Sequence, residues 1–420
     1  MISEQNIYVG FDVGAPEALP VGLLKFERQG MFESGEFVYG KNYLQDERAI
    51  PIHPELFPLR NEPFPIPQKR VRDGGALPLT FKDALPDSWG RKVLEAQYEK
   101  KLSDIETLCI TNEDRVGALM FSETLPIVVP SLENCTFQIE DISNAIRKLE
   151  LSMEVSQEMR RLLKLGGSLG GARPKTTIVQ NNKRYLAKFP ALGDDHDVEL
   201  LEKCLMDVAQ QCGIEVAPSD LLKVGDQHAL LVERFDREGF VDKEVKKHYL
   251  SASALLNIPY ESHEGSYVEF ANALRKISIQ PTKDLEQLFL RLVFNLIIDN
   301  TDDHIKNHGV IHVHNGQYRL SPAFDVVMQM TNLGYQELAI KPGVHHAKIS
   351  YALEIAPLLG ISVDSAQGIV ENFETIIPLH LLENLQKYGA STQLISRVKQ
   401  CLERQHNIIC LLYTSPSPRD

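Results

Sequence analysis

The segment from Phe294 to Asp325, FNLIIDNTDDHIKNHGVIHVHNGQYRLSPAFD, constrains this chain more than any other. Asp302 is followed by an amide five residues on, Asn307, and then by a strand-like stretch ending in a second carboxylate, Asp325. Phosphoryl transfer asks little covalent chemistry of a protein. It needs a carboxylate to orient the attacking hydroxyl, and an amide and a carboxylate to hold magnesium against the phosphates. Asp-x4-Asn with a distal Asp supplies those parts in that order. Asp302 is therefore the candidate base, and Asn307 and Asp325 are the candidate metal ligands.

Three upstream features appear in the order such a site requires. Gly166-Gly167-Ser168-Leu169-Gly170-Gly171-Ala172 is a glycine-rich loop, and glycine lets backbone N–H groups approach phosphates closely. The following GARPKT is not a Walker A loop: Pro174 stands before Lys175, and β-branched strand sequence follows instead of a helix. Lys188 sits in an apolar strand, where an ammonium is costly unless paired. Phosphates and a helix carboxylate would pair it, and Glu199 or Glu202 lies on the next helix. Reading Asp302, Asp303, His304 and His308 as metal ligands, or His304, His308 and His312 with His314 as a zinc site, would leave Asn307, Asp325 and the glycine loop without a role.

Bulk properties agree with a soluble globular chain. A length of 420 residues allows two or three lobes. A net charge of −13 argues against unaided nucleic-acid binding but permits a basic partner. The six cysteines show no C-x-x-C spacing, so neither a zinc knuckle nor a disulfide framework is expected. The polar start MISEQNIYVGFDVG lacks a signal-peptide core, and no apolar run approaches the roughly 18 residues of a membrane span. A cytoplasmic location is expected.

Along the chain, Ile7–Val13, Val21–Phe26 and Gly35–Tyr39 read as strands. Residues 51–67 are proline-rich and predicted irregular. Asp87 or Ser88 caps a helix, beside Trp89, which we read as a packing anchor. Residues 138–165 read as a helical link through Ile142, Ile146 and Leu149. A hairpin turning at Asn181-Asn182 follows. Helices are predicted over DVELLEKCLMDVAQQC, over DLEQLFLRLVFNLIIDN and across most of 351–409. The last eleven residues, CLLYTSPSPRD, break the pattern and are read as a disordered or non-native tail.

SLGGARPK at 168–175, ERFDR at 233–237, FN-x4-NTDDHIKNHG at 294–309 and LSPAFD at 320–325 resemble the motifs of the HipA-type serine/threonine kinases, toxins of bacterial type II toxin–antitoxin modules. FKDALPDSWGR at 81–91 is similar to their N-terminal domain. The resemblance implies an α+β fold: a two-lobed, protein-kinase-like core with a small N-terminal α/β accessory domain and a largely helical C-terminal lobe. The expected divisions are an accessory domain over 1–125, an N-lobe with glycine loop and hinge over 126–236, a C-lobe over 237–409 and the tail over 410–420.

The resemblance also implies roles. Asp302 would be catalytic, and Asn307 and Asp325 would hold Mg2+. Gly170, Gly171, Ala172, Arg173, Pro174 and Lys175 would form the nucleotide loop, with Lys188 on the phosphates. Glu202 matches the family's lysine-pairing carboxylate better than Glu199 does. Glu233, Arg234 and Phe235 would form the adenine hinge. His304, Ile305, Lys306 and Phe324 would complete the ATP site. Ser168 would autophosphorylate and shut the enzyme off. The implied substrate class is a translation factor such as glutamyl-tRNA synthetase or another aminoacyl-tRNA synthetase, its phosphorylation arresting growth. The implied partner is a HipB-like DNA-binding antitoxin, with DNA reached only through it. The chain lacks H-R-D, D-F-G and A-P-E, so an ordinary activation loop is not expected. Two rivals remain: a small-molecule phosphotransferase, and a catalytically silent co-repressor.

Overall fold

Apolar residues alternate at Ile7, Val9 and Phe11, so one face of an extended chain must be buried. The computed structural model describes residues 2–112, 114–130, 139–151, 153 and 173–410. In it β1 (Ile2–Phe11), β2 (Leu19–Gln29), β3 (Phe32–Tyr39), β4 (Phe64–Arg70) and β5 (Leu119–Ser122) form an antiparallel sheet in the order β4-β3-β2-β1-β5. Its buried face carries Ile7, Val9, Leu24 and Phe37, packed on Phe57, Phe64 and Phe81. The Phe37 ring lies 5.6 Å from Phe57 and 5.7 Å from Phe81, both edge-on, the arrangement ring quadrupoles favour. Gly22 is required where the strands meet: a Cβ there would fall 2.3 Å from the Val38 carbonyl.

The chain divides into two compact units. The first is Met1–Leu192, Glu233–Leu250 and Ile311–Tyr318; the second is Gly193–Val232, Ser251–Val310 and Arg319–Asp420. The first unit also holds the helix Ser88–Tyr98, whose Trp89 is buried and donates its indole N–H to the Lys175 carbonyl at 2.8 Å. The helix Asp104–Ile110 starts on a capping box between Ser103 and Glu106. The helix Ile139–Glu150 buries Ile142, Ala145, Ile146 and Leu149. Beyond it, only Leu151 and Met153 of the expected helical link lie within the described residues. β6 (Lys175–Gln180) and β7 (Lys183–Lys188) pair around Asn181 and Asn182, at φ 50° and 59°. Two positive φ angles in succession suit a tight hairpin and the Asn residues that tolerate them.

The second unit is mainly helical. β8 (Ser219–Val224) pairs with β9 (Gln227–Glu233). The helix Val198–Gln211 begins where the Asp197 carboxylate accepts the Leu200 N–H, and Gly213 follows its end at φ 79°. The helix Pro281–Ile297 is buried nearly all round, its polar Asp284, Arg291 and Asn295 included. The helices Ile349–Ile355, Val363–Lys387 and Thr392–Cys410 complete the unit. No helix of the described residues is long and apolar enough to cross a membrane.

One sequence expectation needs correcting: the proline-rich stretch is not irregular to its end. Phe64–Arg70 is a strand despite Pro65 and Pro67. It lies at the sheet edge, where a missing N–H costs no ladder bond.

Candidate active site

The helix Pro281–Ile297 delivers the chain to a tight polar turn. Asp299 takes a left-handed conformation, φ 56°, and ends the helix. Its buried carboxylate accepts the N–H groups of Thr331 and Asn332, each at 2.7 Å. Asn300 folds back, its N–H on the Asn295 carbonyl at 3.0 Å and its side-chain amide on Asn295 Oδ1 at 3.1 Å. A short 3-10 turn, Ile305–Asn307, follows. The Asn307 N–H donates to the His304 carbonyl at 2.9 Å, and Asn307 Nδ2 donates to the Asp302 carbonyl at 3.2 Å. The amide thus closes the turn that presents Asp302.

Asp325 reaches the same place by another route. Arg319 Nε and the Leu320 N–H donate to the buried Asp284 carboxylate at 2.8 and 3.0 Å. Arg291 Nη2 donates to the Ser321 carbonyl at 2.5 Å. The Ala323 N–H donates to the Glu215 carbonyl and its own carbonyl accepts from Ala217, at 2.7 and 3.1 Å. With the approach so fixed, Asp325 turns at φ 57°. Asn300, Asn307, Phe324 and Asp325 line one pocket with Arg291, Asp303 and His308.

The Asp302 carboxyl is raised above the ordinary carboxylate range. Desolvation contributes most; His304 opposes it, and the negative charges of Asp325, Asp303 and Glu337 add to it. Asp302 itself is exposed, so a solute can reach it. Asp303 is the opposite case, 2 % exposed. Burial pushes its carboxyl up, but His308, Tyr267 and His304 together hold it below the usual range. It accepts from the Tyr267 hydroxyl, from Gln336 Nε2 at 2.9 Å and from His308 Nε2 at 2.9 Å. The His304 ring stands edge-on to Tyr260 with centroids 4.7 Å apart. His308 Nε2 meets the Asp303 carboxylate, and His312 Nε2 accepts the Gly316 N–H at 3.1 Å.

The residues fit a magnesium ion in donor chemistry. Asn307 and Asp325 offer hard oxygens on one pocket. The buried Asn300 Oδ1 on the same pocket has no hydrogen-bond partner. A polar atom desolvated in this way ordinarily signals an unseen ligand or water.

Residues 167–378 match the HipA-like C-terminal domain and residues 16–122 match the HipA N-terminal domain. This chain belongs to the HipA family. It is 25 % identical over 340 residues to the provisionally named kinase Y4mE of Sinorhizobium fredii, covering 74 % of this chain and 76 % of that one. It is 24 % identical over 185 residues to the serine/threonine-protein kinase toxin HipA of Shewanella oneidensis, covering 38 % of this chain and 42 % of that one. A solved complex of HipA, HipB and operator DNA from Shewanella oneidensis MR-1 contains a chain of similar fold. The TM-score is 0.71 at 17 % identity, over 96 % of this chain and 97 % of that one.

The other HipA-motif positions lie in both units. Lys175 and Lys188 are cross-strand partners in the β6–β7 hairpin, and both are buried. Arg173 and Pro174 lead into it, the Pro174 carbonyl accepting the Phe189 N–H at 2.9 Å. Gly170, Gly171, Ala172 and Ser168 lie outside the described residues. Glu199 and Glu202 are both buried on the helix Val198–Gln211. Glu233 accepts from Lys183 Nζ at 2.8 Å. Arg234 places its guanidinium on Asp236, with bonds of 2.8 Å to each carboxylate oxygen, and its N–H on the Arg184 carbonyl at 3.1 Å. Ile305 is buried, and Lys306 and Phe324 are partly exposed. Sequence reading missed Asp299, Tyr267 and Gln336, and offered Asp303 only as a possible metal ligand. The one available signal was the surplus of carboxylates in DNTDDH, more than a base and a metal site require.

Proposed function

We propose that this chain is an ATP- and magnesium-dependent protein serine/threonine kinase of the HipA toxin type. The observation that carries the reading is the gathering of Asp302, Asn307 and Asp325 in one unit, with the Asp302 carboxyl raised and reachable. Kinase names among its relatives support it.

In this reading Asp302 accepts the hydrogen bond of a substrate serine or threonine hydroxyl and aligns its oxygen for attack on the γ-phosphoryl group. Its raised carboxyl is a better proton acceptor than an ordinary aspartate. Asn307 fixes the Asp302 main chain through Nδ2, and its side-chain oxygen and the Asp325 carboxylate would hold Mg2+. Magnesium, when bound, neutralises charge on the phosphate oxygens. Lys188 and Gly170 to Lys175 would hold the phosphates. Glu233 to Phe235 hold adenine; His304, Ile305, Lys306 and Phe324 flank the nucleotide. Phosphate on Ser168 would place about two negative charges in the phosphate-binding loop and repel nucleotide.

The substrate class we favour is an aminoacyl-tRNA synthetase, glutamyl-tRNA synthetase included, whose phosphorylation would arrest growth. The partner is a HipB-like antitoxin, which would carry the DNA contacts. The Shewanella oneidensis complex of HipA with HipB and operator DNA supports that pairing, and a charge of −13 suits a basic partner.

The test is labelled-phosphate transfer from Mg·ATP, with the purified chain alone and in bacterial lysate, wild type beside Asp302→Asn. Labelling of the chain itself and of a discrete protein band, absent with Asp302→Asn, is expected. Label appearing only in small molecules would replace the reading with a small-molecule phosphotransferase. No transfer from folded, ATP-binding protein would leave a silent co-repressor.

A further inference from the structure

We infer that Asp303 is a positioning residue: it docks the Gln336–Leu338 segment onto the turn that carries Asp302. The inference rests on the kinase reading of Asp302 for its functional consequence, but not for the docking itself.

Three parts of the second unit meet on this one side chain. Oδ1 accepts from His308 Nε2 at 2.9 Å, just past the Asn307 turn. Oδ2 accepts from Gln336 Nε2 at 2.9 Å and from the hydroxyl of Tyr267, at the start of the helix Tyr267–Ile277. The Asp303 carbonyl accepts the Leu338 N–H at 2.8 Å. Side chain and main chain therefore grip the segment at alternate residues, 336 and 338. Glu337, between them, is close enough for its charge to raise the Asp302 carboxyl. It is held in turn by His263 and by the Tyr335 hydroxyl, the latter at 3.1 Å.

A residue serving only to fill space here would be apolar. A buried carboxylate is costly unless its lone pairs are occupied, and three donors occupy these. Tyr267 is itself held by Asn295 Nδ2 at 3.3 Å, so the clamp reaches back to the helix that delivers the turn. Besides the Tyr267 helix, it joins the segment 336–338 to the turn. Released, that segment would leave Asp302 one peptide away from a loosened anchor while Asn307 and Asp325 kept their own supports.

The experiment uses the full chain with two substitutions. Asp303→Ala removes the clamp. Gln336→Met keeps volume but removes one donor, and leaves both carboxylates of the turn intact should the first variant fold poorly. Amide hydrogen exchange should quicken in residues 300–308 and 334–340, and remain unchanged across 285–291. Steady-state transfer from Mg·ATP to a pool of serine-containing peptides should lose at least tenfold in kcat for Asp303→Ala and about threefold for Gln336→Met. KM for ATP should stay within twofold of wild type. Unchanged exchange in both segments overturns the docking. Faster exchange with unchanged kcat, or a kcat loss matched by an equal rise in KM for ATP, overturns the positioning role. If wild type itself transfers nothing, the kinase reading fails and the positioning role with it, while the exchange pattern alone decides the docking.

Discussion

Asp302 and Asp303 are neighbours whose surroundings push them in opposite directions, one exposed and raised, the other buried and held ionised. Sequence spacing made the first legible, because the chemistry requires a carboxylate and an amide at a fixed short separation. It could not reveal the second. Besides His308, five residues on, the partners of Asp303 lie 36 residues before it, at Tyr267, and 33 after it, at Gln336, and no local pattern links those two. The same holds for Trp89, whose indole bond spans 86 residues to the Lys175 carbonyl. Trp89→Phe should lose the bond and leave a small void, costing about 1–3 kcal/mol, read as a lower urea midpoint. An unchanged midpoint would mean the Lys175 carbonyl finds another donor.

At the scale of elements, helices were easier to read than strands. Leu201, Cys204, Leu205 and Val208 repeat at helical spacing, and all are buried on Val198–Gln211. Phe64–Arg70 was not legible, because two prolines argue against a strand unless the strand is already known to be an edge. Asp197 shows what a cap adds. Its carboxylate accepts the Leu200 N–H at 3.2 Å and meets His228 Nδ1 at 2.6 Å. Asp197→Ala should destabilise the chain by about 1–2 kcal/mol, seen as a lower thermal midpoint, with faster hydrogen exchange over residues 198–204. If those amides stay protected, the cap is not what holds the first turn. Because Glu199 and Glu202 sit on that turn and the next, the same variant should weaken ATP binding, read by titration.

On the scale of the whole chain, buried charges from either side of residue 125 are joined within the first unit. Asp236 binds Arg234 and Arg237, and accepts the Gly117 N–H at 2.8 Å. Asp114 faces Arg234 at 3.4 Å, and Lys246 pairs with Asp12 at 3.0 Å. These charges are nearly all buried, so removing one partner strands the rest. A chain cut to residues 126–410 should therefore be poorly soluble or fail to bind ATP. A soluble, ATP-binding fragment would show that the N-terminal region is a separable accessory. Burial alone would raise Asp236, but Arg234 and Arg237 hold it well below the carboxylate range. Its stabilisation is thus complete above an unfolded carboxylate's pKa of about 4 and is lost as pH falls below that. Thermal unfolding should show a steep loss on acidification that Asp236→Asn flattens; equal pH dependence in both proteins would remove Asp236 from the explanation. If Asn307 and Asp325 hold magnesium while Asp302 aligns the acceptor hydroxyl, nucleotide binding and phosphoryl transfer must be separable by substitution. The most direct measurement pairs nucleotide affinity with phosphoryl transfer for wild type, Asp302→Asn and Asp325→Ala. The account requires Asp302→Asn to bind Mg·ATP within a few fold of wild type while transfer falls by about 10²–10⁴, and Asp325→Ala to lose magnesium-dependent binding. Transfer surviving in Asp302→Asn, or magnesium-dependent affinity unchanged in Asp325→Ala, would contradict it.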